Sequence, residues 1–144
     1  MSFRERTAWI TLITIVVCFG VYYGAVFTGL VPTDRWRSFH LGLICIISLV
    51  VLQVGLNLIA TLLNPKDART PRDEREKMIQ SRSHTVGYYV LMFGMAAVLF
   101  STHVIFEENV LDVIVNTVNL GVLVMVIAAL SVAVAQIIMF RRGA

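Results

Sequence analysis

Residues 39–63 read FHLGLICIISLVVLQVGLNLIATLL, a run without a single Asp, Glu, Lys or Arg. A helix needs roughly 20 consecutive apolar residues to cross the hydrocarbon core of a bilayer, and this run is longer than that. Three further uncharged runs, at 7–30, 84–106 and 113–140, meet the same test, and the charged residues are confined to the segments around them. Such a chain is read as a single transmembrane domain over 1–144: an all-α, integral membrane four-helix bundle with almost no soluble part. Four spans place both termini on one side of the membrane.

Charge sorts sharply across these spans. Of the 12 Lys and Arg residues, Arg35 and Arg37 alone fall on the face away from the termini; Arg4, Arg6, Lys66, Arg69, Arg72, Arg75, Lys77, Arg82, Arg141 and Arg142 share the face of the termini and the central loop. The positive-inside rule then makes both termini and the loop 64–83 cytoplasmic. The net charge of +3 reflects this topology and contact with anionic headgroups of the lipid bilayer, so no direct nucleic-acid partner is expected. The first run exceeds the apolar region of a secretory signal, and no small-x-small site closes it before Pro32; it is read as an uncleaved helix. Cys18 and Cys45, each inside a span and estimated at different depths, are read as packing residues.

Turn chemistry divides the chain further. Val31-Pro32-Thr33-Asp34 ends the first span, and Trp36 and Phe39 follow at an interfacial position. Pro65 ends the second span by pushing Asn64 out of helical geometry. In the central loop, Thr70 as a cap, Pro71 at a first helical position, and Asp73 and Glu74 at the positive dipole end predict a helix from about 71 that continues into the third span. Asp73 with Lys77 and Arg72 with Glu76 are its expected i,i+4 pairs, and Met78 and Ile79 its apolar stripe. Tyr22-Tyr23 and Tyr88-Tyr89, in the first and third spans, raise the further reading of two related helical hairpins.

Polar side chains inside hydrocarbon are costly and turn toward the bundle interior. Gln53, Asn57 and Thr61 share a face of the second span; Asn116 and Asn119 share one of the fourth, with Gln136 nearer its close. Counting depth gives two layers. Thr11, Thr14, Asn57, Thr61, Tyr88, Tyr89 and Gln136 fall in the cytoplasmic half, and Tyr22, Tyr23, Thr28, His40, Asn116 and Asn119 in the outer half. Interhelical hydrogen bonds and a solvated pocket or path both fit this pattern. No Asp, Glu, Lys or Arg lies deep in a span, which disfavours a proton-coupled exporter.

On the outer face His103 and Glu107 are spaced i,i+4, a weak metal-ligand pattern that a solvated helix end explains more simply, so no metal and no cofactor is expected. Bis-histidine haem ligation is disfavoured because His40 and His84 sit near opposite surfaces. Gly20-x-x-x-Gly24, Ala129-x-x-x-Ala133 and Ser131-x-x-x-Ala135 permit close helix approach, within the bundle or in a homo-oligomer. No nucleophile elbow, His-Glu-x-x-His, phosphate loop or deaminase signature occurs, so the chain is not read as an enzyme.

The opening Met1-Ser-Phe-Arg-Glu-Arg-Thr-Ala-Trp-Ile and the loop Pro71-Arg-Asp-Glu-Arg-Glu-Lys-Met-Ile, leading into a tyrosine-bearing span, resemble a family of small uncharacterised bacterial membrane proteins with a DERE-type cytoplasmic loop. The resemblance implies a four-span protein, in some genomes beside a small helix-turn-helix regulator, and it carries over no catalytic residue. The leading expectation is a non-enzymatic inner-membrane protein working through contacts of Arg72, Asp73, Glu74, Arg75, Glu76 and Lys77 with a cytoplasmic regulator or a membrane partner. The alternatives are a small channel or transporter for a neutral solute or ion through the amide-lined bundle, and a structural membrane subunit.

Overall fold

The computed structural model describes residues 3–28, 35–65, 71, 73–105 and 110–142, excluding the side chains at 27, 35–39, 102–105 and 110–116. Among the described residues there are four α-helices and no strand: α1 (Phe3–Phe27), α2 (Arg35–Leu63), α3 (Glu74–Ile105) and α4 (Val110–Arg142). The shortest has 25 residues. At about 1.5 Å per residue it is ~38 Å long, more than the ~30 Å hydrocarbon core. All four helices are long and apolar enough to cross a membrane, as expected of a multi-pass membrane protein. Hydrocarbon supplies no partner for polar groups, and Thr7, Thr11, Thr14, Thr61 and Ser131 accordingly donate their hydroxyls to carbonyls four residues back.

The third helix begins at Glu74 rather than Pro71. Asp73 caps it: its carbonyl accepts the Lys77 amide at 3.0 Å and its Oδ1 accepts the Glu74 amide at 2.7 Å. Thr70, the cap expected from sequence, and Arg72 lie outside the described residues. Lys77 pairs with Glu74 at 2.7 Å, one turn away, and Glu76 reaches across to Arg4 of α1 at 3.4 Å.

Among the described residues α3 packs most extensively on α4, and α1 packs on both α2 and α4, while α2 and α3 make no extended contact. The helices are therefore joined in the order α2, α1, α4, α3. α2 is the most peripheral, with 11% of its span buried against 28% for α1 and for α4. The core at the α1, α2 and α4 junction holds Ile15, Cys18, Phe19, Tyr22, Cys45 and Val126. Both cysteines are free and buried in this one cluster, although sequence counting placed them at different depths.

A second seam joins α3 to α4. Ile79, Ser83, Gly87 and Val98 are buried on α3 at spacings that keep them on one face. A Cβ on Gly87 would overlap Val132 Cγ2, and one on Gly94 would lie 2.5 Å from Val124 Cγ1. These two glycines set the close approach. Gly20 and Gly24 do not: both are exposed, and a Cβ on either would meet nothing within 4 Å. Of the α4 small residues, Ala133 is buried, whereas Ala129 is exposed. The paired tyrosines also differ, since Tyr22 is 4% exposed and Tyr88 58%.

Overpacking a close seam costs about 1–3 kcal/mol. Gly87→Ile and Gly94→Ile should each lower stability by about that amount, whereas Gly20→Ile and Gly24→Ile should change it by less than about 0.5 kcal/mol. Equilibrium unfolding in mixed micelles measures the difference; equal effects at all four positions would contradict the packing order.

Candidate functional site

The polar residues of the spans fall into two separated groups. At the end away from the termini, Tyr22 donates its hydroxyl to Asn119 Oδ1 at 3.1 Å and Tyr23 donates to the Asn119 carbonyl at 3.2 Å, fastening α1 to α4. The Tyr22 and Tyr23 rings meet edge to face with centroids 4.9 Å apart. The α2 backbone comes close as well, because a Cβ on Gly42 would sit 3.5 Å from the Tyr22 ring. This group is satisfied and structural. Nearer the termini, Gln53 of α2 donates to the Thr11 hydroxyl of α1 at 3.2 Å. Between the groups lies the apolar cluster of Ile15, Cys18, Phe19 and Val126, so the described residues do not present one continuous amide-lined path.

Below Gln53, all four helices surround a cavity of about 290 Å³. Its polar lining is Arg4 and Thr7 from α1, Asn57 and Thr61 from α2, Glu76 and Gln80 from α3, and Gln136 from α4. Phe3, Ile79 and Phe140 complete the wall. Among the described residues α2 and α3 are each held mainly by other helices, which leaves this space between them. Arg4 Nε lies 3.4 Å from Glu76 Oε2, and each side chain is 26% exposed. The pair thus brings two opposite charges to the rim while partly shielded from water. A parallel tie closes the α1–α4 side, where Arg141 lies 3.4 Å from Glu5 Oε1 and 5.4 Å over the Trp9 ring.

One atom of this site is out of balance. Asn57 Oδ1 is buried and accepts no hydrogen bond. A buried acceptor left unmet costs about 1–3 kcal/mol, and a donor entering the adjacent cavity would relieve that cost.

Of the intramembrane residues expected from sequence, Asn57 and Gln136 both line the cavity, Gln53 is bonded to Thr11 outside it, and Tyr22 and Asn119 meet in the other group. Tyr88 and Tyr89 lie on the outer surface, 58% and 55% exposed, with their rings against each other. The Asn116 and His103 side chains and Glu107 lie outside the described residues; among the described residues no group of three His, Cys, Asp or Glu is placed to hold a metal. Asp73, Glu74, Arg75 and Lys77 are exposed at the start of α3. Sequence reasoning missed Arg4, Thr7 and Gln80 as cavity residues. Arg4 served only as an orientation signal, and its contact with Glu76 depends on helix order. No family model, curated protein or solved structure matches this chain.

Leucine at the two asparagines should act in opposite directions. Asn119→Leu leaves the Tyr22 hydroxyl without its acceptor and should cost about 1 kcal/mol. Asn57→Leu removes the unmet acceptor and should leave stability equal or raise it by about 1 kcal/mol. Unfolding of both variants in the same micelle system checks this, and a large loss for Asn57→Leu would show that the amide is a packing element.

Proposed function

We propose that this chain is a non-enzymatic protein of the bacterial inner membrane that acts through protein contacts of its cytoplasmic face, centred on residues 72–77 and the following turn. The observation carrying this reading is the way α3 starts. Ile79 and Ser83, 2% and 0% exposed, lock its first turns to the bundle, and the Arg4–Glu76 pair ties them to α1. On the same turns Arg75, Lys77, Met78 and Arg82 are exposed beside this buried stripe. A charged surface presented on a rigid, anchored helix loses little conformational entropy on docking, which suits recognition. The positive-inside distribution supports a cytoplasmic orientation for this face and for both termini. The resemblance to small four-span bacterial proteins, some encoded beside a regulator, supports a soluble regulator as partner; a membrane protein partner fits the same surface.

Permeation is the weaker reading, because the apolar cluster of Ile15, Phe19 and Val126 stands between the two polar groups.

Photocrosslinking from position 75 in intact membranes should capture a specific protein. Reversing charge at Arg72, Arg75 and Lys77 together should abolish that capture while membrane insertion is retained. Undiminished capture by the inserted triple variant would reject the proposal.

A further inference from the structure

We infer that the cavity between α2 and α3 binds the headgroup of a membrane lipid, and specifically a zwitterion that combines a phosphate with a primary ammonium. The inference does not depend on the partner-binding role proposed for the exposed face of α3.

Three observations carry it. The first is charge. Arg4 and Glu76 bring one positive and one negative group to the rim, with Nε and Oε2 3.4 Å apart. A net-neutral zwitterion can engage both, the phosphate at the guanidinium and the ammonium at the carboxylate. An anionic headgroup would meet the like charge of Glu76.

The second is hydrogen-bond type. Asn57 Oδ1 is an acceptor with no donor, and Thr61, whose hydroxyl proton is spent on the Asn57 carbonyl at 2.8 Å, retains only acceptor capacity. A primary ammonium brings three N–H donors to such a site. A trimethylammonium brings none, and would have to rely on the rings of Phe3 and Phe140.

The third is shape. The cavity volume of about 290 Å³ suits a headgroup and not a whole lipid. Along the same face of α2, Val54 and Val50 follow Asn57 toward the membrane centre and are 62% and 53% exposed. Among the described residues α2 and α3 make no extended contact that would close this side. Gln53, one turn on, is taken up by Thr11 of α1, so the surface that Val54 and Val50 expose beyond the cavity is apolar, matching an amphiphile whose acyl chain runs along α2.

Native mass spectrometry of the full chain released from micelles, titrated with phosphatidylethanolamine, phosphatidylcholine or phosphatidylglycerol, tests the site. One phosphatidylethanolamine per chain should bind about tenfold more tightly than either other lipid, the difference expected for a hydrogen bond to a charged group. Glu76→Gln and Asn57→Leu should each reduce that preference to near unity. Glu76→Arg, which leaves two cations at the rim, should reverse the preference toward phosphatidylglycerol, a gain that a misfolded variant cannot produce. Equal binding of all three lipids by the unaltered chain, or an unchanged preference in Glu76→Arg, would overturn the inference. Free glycerophosphoethanolamine should compete only weakly; competition as strong as the intact lipid's would assign the site to a soluble zwitterion and overturn the lipid assignment. None of these readouts involves a protein partner, so failure here and failure of the contact role are distinguishable.

Discussion

The contact between α1 and α4 holds the two hairpins together, and the other features of the bundle depend on it. It is built at three levels. Arg141 meets Glu5 and the Trp9 ring near the termini, Ile15 and Phe19 meet Val126 in the middle, and Tyr22 and Tyr23 meet Asn119 toward the far end. In a bilayer the hydrophobic effect does not drive helices together, so dispersion contacts and hydrogen bonds of this kind must supply the association. With α1 and α4 fixed in the middle, α2 and α3 become the outer members. The polar cavity follows from that order, since it fills the space the two outer helices leave between them.

The same order explains how polar groups are distributed. Each hydroxyl that bonds four residues back within its own helix makes no demand on a neighbour. Gln53 and Asn119 are tied across helices. Asn57 is the residue whose side-chain oxygen is left over, and it belongs to the helix that packs least. An unmet acceptor on a peripheral helix is a local inconsistency of the sort that functional sites retain.

Much of the fold was legible in the sequence because hydrocarbon imposes so simple a rule. Uncharged runs gave the four spans, Pro65 marked the close of α2 within a residue or two, and the division of polar residues into two depths anticipated the cavity and the Tyr22–Asn119 group. What could not be read was helix order. Gly20 and Gly24 looked like a packing motif, yet that face of α1 is open, while Gly87 and Gly94, further apart and without the familiar spacing, form the tight seam. Tyr88 resembled Tyr22 by composition and differs by environment, because rotation of α3 about its axis is set by those glycines. Arg4 and Glu76 are separated by most of two spans, and no local pattern links them. α3 starts at Glu74, three residues after the expected Pro71, where the Asp73 carboxylate takes up the first amide.

The length of α3 has a mechanical consequence. Its 32 residues form one unbroken rod of about 48 Å, of which the hydrocarbon core accounts for ~30 Å. Helices adjust to bilayer thickness by tilting, and a rod does not absorb tilt locally. Turning α3 by about 10° around its middle would carry Glu74 and Arg75 sideways by ~4 Å. Because α3 is seated on α4 along a glycine seam, α4 would have to follow or slide, while α2, held mainly through α1, would follow less. A change in bilayer thickness that tilted α3 would thus be felt most at the charged turns where the rod begins.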